Sequence, residues 1–186
     1  MSDKIKAVLG VMIAKRESTR LPGKNLLEIN GHPMFIWNLK KLLNVFETVV
    51  FDSDCQEMLD MACSIGATAH KRKVTLEGND VPSVPIFKSI IEDEPGFQAL
   101  INLQANSPGT PEEVIKQCAH IIALESIHEV LTFYSSRDIN GSVWGFSKER
   151  LNNYGDYYVH YPDALVMDDS IDIHTKDDFL AALNEK

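Results

Sequence analysis

Long apolar runs and paired cysteines are both missing from this 186-residue sequence. No run approaches the roughly 20 apolar residues that a membrane-spanning helix needs, so no membrane association is expected. The first ten residues also lack the apolar stretch and small-residue cleavage site of a secretory signal. The three cysteines, Cys55, Cys63 and Cys118, are never spaced as CxxC. We therefore expect reduced thiols in a cytoplasmic protein rather than disulfides or a cysteine metal site.

Positive charge is also scarce, because 18 Lys and Arg residues stand against 27 Asp and Glu residues, for a net charge of -9. This balance argues against a nucleic-acid partner, which would need a basic stripe. An anionic small substrate stays open, since a local basic loop or a metal ion can reverse the field inside one cleft. The remaining composition is that of a soluble globular protein. The length suits a single domain, 1–186, with a sizeable core.

Apolar segments alternate with helical patterns from end to end, which predicts an open, mostly parallel sheet with helices on both faces. This is a three-layer α/β/α, Rossmann-like fold. The predicted strands are 6–14, 47–51, 99–103, 130–134, 142–146 and the DALVM segment, 163–167. The predicted helices begin at Pro33, at Asp54 as an N-cap, within 81–91, at Pro111 and at Thr175 as an N-cap.

Ligands of such sheets bind beyond the carboxyl ends of the strands. Three loops therefore become candidates for a site: 15–25, 104–110 and 168–175. We call the first of them the basic loop, because four cations lie within ten of its residues although the chain as a whole is acidic: Lys15, Arg16, Arg20 and Lys24. Converging cations and backbone amides can hold a triphosphate and stabilise charge on leaving pyrophosphate. The loop is neither a Walker A sequence nor GxGxxG, and a solvated basic turn is the plain alternative.

A family resemblance enters at this loop. The segment IAKRESTRLPGKNLLEINGHPMFIW, 13–37, resembles the opening of the bacterial sugar-acid cytidylyltransferases, which include the CMP-N-acetylneuraminate and CMP-KDO synthetases. HKRKVTLEGNDVPSV, LINLQANSP, NGSVWGF and SIDIHTKDDFLAAL are similar to later family segments. The resemblance implies the nucleotide-diphospho-sugar transferase fold and a role in polysaccharide biosynthesis. It also implies transfer of CMP from CTP to an acidic sugar, with release of pyrophosphate.

The same resemblance implies roles for individual residues. Catalytic cations match at Lys24, Arg20 and Lys15, of which Lys24 is the first choice for acting directly on the phosphates. Further contacts to the nucleotide are implied for other positions: Ser18, Asn25, Arg72, Gln104 and Ser107. No covalent intermediate is implied, so catalysis would consist of alignment and charge neutralisation.

Mg²⁺ is the implied cofactor, and Asp172 is its candidate ligand. Mg²⁺ often keeps several waters, so one or two protein carboxylates can suffice. The sequence departs from the family here, because His174 stands where a second Asp is common and Asn106 stands where the KDO branch has a carboxylate. An imidazole suits Mg²⁺ less well than a carboxylate does. His174 could instead orient Asp172, contact a phosphate or lie on the surface, and the acidic segment could be a solvated helix cap.

The second departure is a short connection, since only residues 134–139 separate a strand from NGSVWGF. Larger relatives carry an insertion there that helps to form a dimer and shapes the sugar pocket, and loops tolerate such length changes. A homodimer and the identity of the sugar therefore stay open. The alternatives to CMP transfer are another nucleoside triphosphate, a sugar phosphate as acceptor, or a relative that binds nucleotide without turnover.

Overall fold

The structure is a computed structural model, and it describes residues 4–78, 80–155 and 161–184. The predicted domain range of 1–186 therefore includes 1–3, 79, 156–160 and 185–186, which lie outside the described residues. Asn79 of the HKRKVTLEGNDVPSV segment is one of these. None of the described helices is both long and apolar enough to cross a membrane.

Seven strands form one sheet in the order β5-β4-β1-β6-β8-β7-β9. Their bounds are β1 Leu9–Ala14, β4 Val49–Ser53, β5 Thr68–Lys71, β6 Ala99–Leu103, β7 Glu129–Phe133, β8 Ile139–Ser147 and β9 Ala164–Met167. All neighbouring strands pair in parallel except β8, which is antiparallel to both β6 and β7. A separate two-stranded hairpin joins β2 Glu28–Ile29 to β3 His32–Pro33. The sheet is thus mostly parallel, as the sequence predicted.

Helices cover both faces of the sheet and complete three layers. In chain order they are α1 Met34–Val45, α2 Gln56–Ser64, α3 Ser83–Asp93, α4 Glu112–Ile122, α5 Lys148–Asn152 and α6 Lys176–Asn184. Buried residues of α1, α2 and α4 pack in one core cluster against one face. Those of α3 and α5 pack in a second cluster against the other face.

The buried strands match their predictions best. All five residues of β6 are buried, and its bounds agree with the predicted 99–103. The prediction of Asp54 as the N-cap of α2 is wrong, because Cys55 occupies that position. Asp54 instead accepts a hydrogen bond from the backbone N–H of Arg16 at 3.0 Å. The Thr175 cap is confirmed, because its hydroxyl accepts from the backbone N–H of Asp178 at 3.2 Å.

A third, smaller cluster fixes the C-terminal segment near the end of the sheet. Ile173 is fully buried among residues of the hairpin, α1 and α6, including Ile29, Met34 and Phe179. Its two neighbours in sequence, Asp172 and His174, are only partly buried. Packing of Ile173 therefore anchors loop 168–175 and sets the position of the polar side chains on either side of it.

Candidate active site

A cavity of about 210 Å³ opens where β1 and β6 end. Such a position, beyond the carboxyl ends of parallel strands, is the usual ligand site of this architecture. Seven of the nine sequence-predicted site residues line it: Lys15, Ser18, Arg20, Lys24, Asn25, Arg72 and Gln104. The basic loop and loop 104–110 thus face one common space.

The basic loop turns at Gly23, whose φ of 65° lies in the left-handed region that glycine adopts without strain. The predicted Pro22-Gly23 turn is thereby confirmed, and Lys24 follows it at the start of a short 3-10 turn. Asn25 is buried, and its side-chain amide donates to the backbone carbonyl of Lys15 at 2.9 Å. This bond ties the two ends of the loop together and holds both lysines at the cavity.

Lys24 lines the cavity and also contacts loop 168–175. Its Nζ donates to the backbone carbonyl of Ile173 at 3.2 Å. Burial lowers the pKa of Lys24, the charge of Asp172 opposes this shift, and the nearby cations Arg20 and Lys15 reinforce it. An ammonium group that is partly buried and lies near other cations gains from an anionic partner.

Arg16 does not join the other cations of the loop. Its guanidinium Nη1 lies 3.3 Å from Oε2 of Glu57 on α2, and the residue is absent from the cavity lining. Glu17 does line the cavity. The expected group of four converging cations is therefore reduced to three, and it has an acidic neighbour.

Arg72 lines the cavity but is committed to a buried carboxylate. Its Nε and Nη2 both lie 2.6 Å from Oδ1 of Asp52, a residue with no exposed surface. The other oxygen of Asp52 lies 2.8 Å from Nδ1 of His70. Hydrogen bonding to Asp52 raises the pKa of His70, desolvation opposes this, and Asp93 adds to the rise. Arg72 thus presents a fixed, largely neutralised guanidinium to the cavity.

The other two predicted residues, Ser107 and Asp172, lie beside the cavity rather than in its lining. The side-chain amide of Asn106, which does line it, contacts Oδ1 of Asp172. The hydroxyl of Ser107 lies 3.5 Å from the same oxygen. Nε2 of His174 lies 2.5 Å from Oδ2, so His174 takes the orienting position that was one of its alternatives. Both carboxylate oxygens of Asp172 therefore have protein partners.

This donor set bears on the implied metal. Across residues 4–78, 80–155 and 161–184, no three His, Cys, Asp or Glu side chains are grouped so as to hold a metal ion. In the cluster around loop 168–175, Asp172 supplies an anionic oxygen next to the amide of Asn106 and the imidazole of His174. The set fits a hard cation only as a single carboxylate ligand to an ion that keeps most of its waters or phosphate oxygens.

A second carboxylate, Asp168, is buried and structural. Its Oδ2 accepts hydrogen bonds from the hydroxyls of Thr110 at 3.0 Å and Ser170 at 2.8 Å, and it also contacts the hydroxyl of Ser142. The side-chain amide of Asn140 contacts the backbone carbonyl of Asp168. Asp168 thus joins loop 104–110, strand β8 and loop 168–175.

Sequence reasoning missed the residues that support the site from behind. Asp52 holds Arg72, and Asn38 and Lys41 of α1 donate to backbone carbonyls of loop 104–110. The only local signal was the polarity of Asn38 within an apolar helix face, and that does not reveal a partner 66 residues away.

Comparison with known proteins gives a consistent result. A family model described as cytidylyltransferase matches residues 10–137. A 3-deoxy-manno-octulosonate cytidylyltransferase of Francisella philomiragia is 31% identical over 114 residues, 60% of this chain and 44% of that protein. A pseudaminic acid cytidylyltransferase of Campylobacter jejuni is 27% identical over 116 residues, 59% of this chain and 50% of the other. The matched stretch thus spans half or less of each relative.

Solved structures resemble the chain over nearly its whole length. CMP:2-keto-3-deoxy-manno-octonic acid synthetase in complex with CTP superposes with a TM-score of 0.76 at 15% identity, covering 96% of this chain and 97% of that one. A Mycobacterium tuberculosis protein in complex with manganese gives a TM-score of 0.72 at 14% identity, covering 96% and 99%. At these identities the likeness establishes the α/β fold.

Proposed function

We propose that this chain, which belongs to the cytidylyltransferase family, transfers CMP from CTP to an acidic sugar and releases pyrophosphate. The acceptor class would be a KDO-like, N-acetylneuraminate-like or related nonulosonic acid, in keeping with the names of its relatives. One observation carries the proposal: Lys15, Arg20 and Lys24 converge on a cavity at the carboxyl ends of β1 and β6.

In the proposed reaction a sugar hydroxyl oxygen attacks the α-phosphorus of CTP. A new P–O bond forms between the sugar oxygen and the α-phosphorus, and the bond from the α-phosphorus to the oxygen that bridges to the β-phosphorus breaks. That oxygen leaves with pyrophosphate, and the hydroxyl proton passes to water. Lys24 would act directly on the phosphates, and its partly buried ammonium at the cavity supports this role. With Lys15 and Arg20 it would neutralise charge on the departing pyrophosphate.

The other cavity residues would position the nucleotide. Ser18 and Asn25 offer hydrogen-bonding groups in the basic loop, and Asn25 retains a buried side-chain oxygen with no partner among the described residues. The fixed guanidinium of Arg72 would meet the nucleotide from the β5 side. Gln104 would border the base or sugar, and Ser107 would act there through its contact with Asp172.

Mg²⁺ fits the site as an ion carried mainly by the triphosphate, with Asp172 as its one protein carboxylate. When bound, it would supply charge neutralisation at the phosphates. Asn106 and His174 would fix the orientation of the Asp172 carboxylate. We further propose a cytoplasmic role in polysaccharide biosynthesis and leave a homodimer as a testable assembly.

A second candidate is a relative that binds nucleotide without turnover. It is favoured by one observation, that Asn106 and His174 already occupy the two oxygens of Asp172. Use of another nucleoside triphosphate, or of a sugar phosphate as acceptor, belongs to the same enzyme class and would rely on the same cations.

One assay separates these functions. The protein is incubated with CTP, ATP, GTP or UTP, Mg²⁺ and a panel of sugar acids and sugar phosphates, and pyrophosphate and nucleotide-sugar are measured. CTP-dependent formation of a CMP-sugar acid is the expected result. Formation of product from another triphosphate would identify that nucleotide, instead of CTP, as the donor. If calorimetry detects nucleotide binding but no product forms with any member of the panel, the protein binds nucleotide without turnover.

A further inference from the structure

Four backbone carbonyls of loop 104–110 are held from behind by helix α1. The side-chain amide of Asn38 donates to the carbonyls of Gln104 at 2.7 Å and Ser107 at 2.9 Å. The ammonium of Lys41 donates to the carbonyls of Pro108 at 2.5 Å and Thr110 at 2.8 Å. Residues three apart share a face of a helix, so the two side chains act on the loop together.

These bonds matter because the loop is largely buried. Asn38 and Thr110 have no exposed surface, and a buried carbonyl without a partner is costly. Lys41 brings a full positive charge to a half-buried position. Burial lowers the pKa of Lys41, whereas the negative charges of Glu112 and Asp168 oppose this shift. A half-buried ammonium group is stable when its N–H groups are hydrogen-bonded, and the ammonium of Lys41 donates to two carbonyls.

Lys41 is linked to the candidate active site without reaching it. It is not among the cavity-lining residues, whereas Gln104 and Asn106 of the loop are. Thr110 is held at both ends, since its carbonyl accepts from Lys41 and its hydroxyl donates to Asp168. Asp168 opens the segment that carries Asp172. Lys41 therefore bears on both loops that face the cations.

We propose that Lys41 is a positioning residue for the transfer reaction, because its ammonium fixes the carbonyls of Pro108 and Thr110 and so sets where Asn106 and Asp172 stand relative to the phosphates. This inference rests on the proposed function. It predicts that loss of the ammonium lowers kcat while nucleotide binding persists, because the cations that grip the phosphates belong to a different loop.

The test is Lys41→Met, which keeps the length of the side chain and removes its charge, with Lys40→Met as the matched control. Lys40 neighbours Lys41 on α1 but faces His32 and Trp37 instead of the loop. We expect kcat for CMP transfer to fall by about tenfold in Lys41→Met, because a displaced loop misaligns the reacting groups. The Kd for CTP, measured by calorimetry, should stay near that of the parent. Lys41→Arg, which retains donors, should recover part of kcat.

A second measurement needs no turnover. Amide hydrogen exchange should accelerate in 104–110 and 168–175 of Lys41→Met and stay unchanged in the basic loop. If Lys41→Met does not fold, Lys41→Gln, which removes the charge but keeps a neutral donor, provides the same two measurements, with a smaller loss of kcat. Parental kcat, or parental exchange in both loops, would overturn the inference. If the parent itself made no product with any nucleotide, the proposed function would fail, and the exchange data would still decide whether Lys41 orders the loops.

Discussion

The two sides of the cavity are built in opposite ways. On the side of the basic loop, Arg20 is exposed and has no hydrogen bond or ion pair to any described residue, and Lys24 donates to one carbonyl. On the side of loops 104–110 and 168–175, Asp168 is buried under hydroxyl donors, and both oxygens of Asp172 have partners. The basic loop thus presents an exposed cation, Arg20, to the cavity. The charged groups of the other two loops instead bond to neighbouring protein groups and stabilise the loops themselves.

This difference suggests a division of labour. A cation such as Arg20 can pair with the phosphates of a nucleotide at little cost, and the mutual repulsion of the loop's cations is relieved when the nucleotide binds. Polar groups that are already fixed need no reorganisation at the moment of reaction. Substitutions on the basic loop should therefore mainly affect binding and charge stabilisation, whereas those on the opposite loops should affect alignment.

The largest expected effect is that of Lys24→Met. Removing a group that stabilises developing charge typically costs about 100-fold or more in turnover, and we expect such a loss in kcat/KM. Burial lowers the pKa of Lys24, so the fold disfavours its charged form, and we expect the melting temperature without ligand to fall by no more than about 2 °C. Kinetics and thermal unfolding with and without CTP provide the measurements.

Lys6→Met is the matched control for Lys24→Met. Lys6 lies before β1, at the opposite end of that strand, and pairs with Glu47 at the surface. It should leave kcat/KM and the CTP-induced rise in melting temperature unchanged. Near-parental activity of Lys24→Met would remove Lys24 from the reaction and with it the functional contrast between the two sides.

Asp172→Asn should have the next largest effect and tests the fixed side. If Asp172 is the single carboxylate that meets Mg²⁺, its loss should remove about 2 kcal/mol of transition-state stabilisation, or about 30-fold in kcat. The stimulation of turnover by added Mg²⁺ should also largely disappear. Asp177→Asn, an exposed carboxylate at the start of α6, is the control. An unchanged response to Mg²⁺ in Asp172→Asn would take Asp172 out of the metal site.

The contrast between the two sides also explains what the sequence could reveal. Cations clustered within ten residues are visible in the sequence, and so is the turn at Gly23. The buried strands β1 and β6 stand out as continuous apolar runs. Strand β5 was not foreseen, because it is an edge strand whose residues are mostly exposed, so no apolar pattern marks it.

Side-chain contacts between distant parts of the chain could not be predicted, for a different reason. Asp52 meets Arg72 across 20 residues, and Lys41 meets Thr110 across 69. Nothing in the local pattern of either segment names its partner. The pairing of Arg16 with Glu57 could not be predicted for the same reason. The charge of Arg16 is visible in the sequence, but the position of a carboxylate of α2 beside it is not.

Arg16→Ala should have the smallest effect, and it sharpens the definition of the basic loop. Arg16 is about half exposed and pairs with Glu57 outside the cavity, and such surface pairs contribute little, so kcat/KM should change by less than about twofold. Arg20→Ala is the matched comparison, since Arg20 lies in the same loop and lines the cavity. Loss of its charge-assisted bonds to phosphate should cost about tenfold. Equal losses in both variants would mean that nucleotide draws Arg16 away from Glu57, and that all four cations of the loop take part.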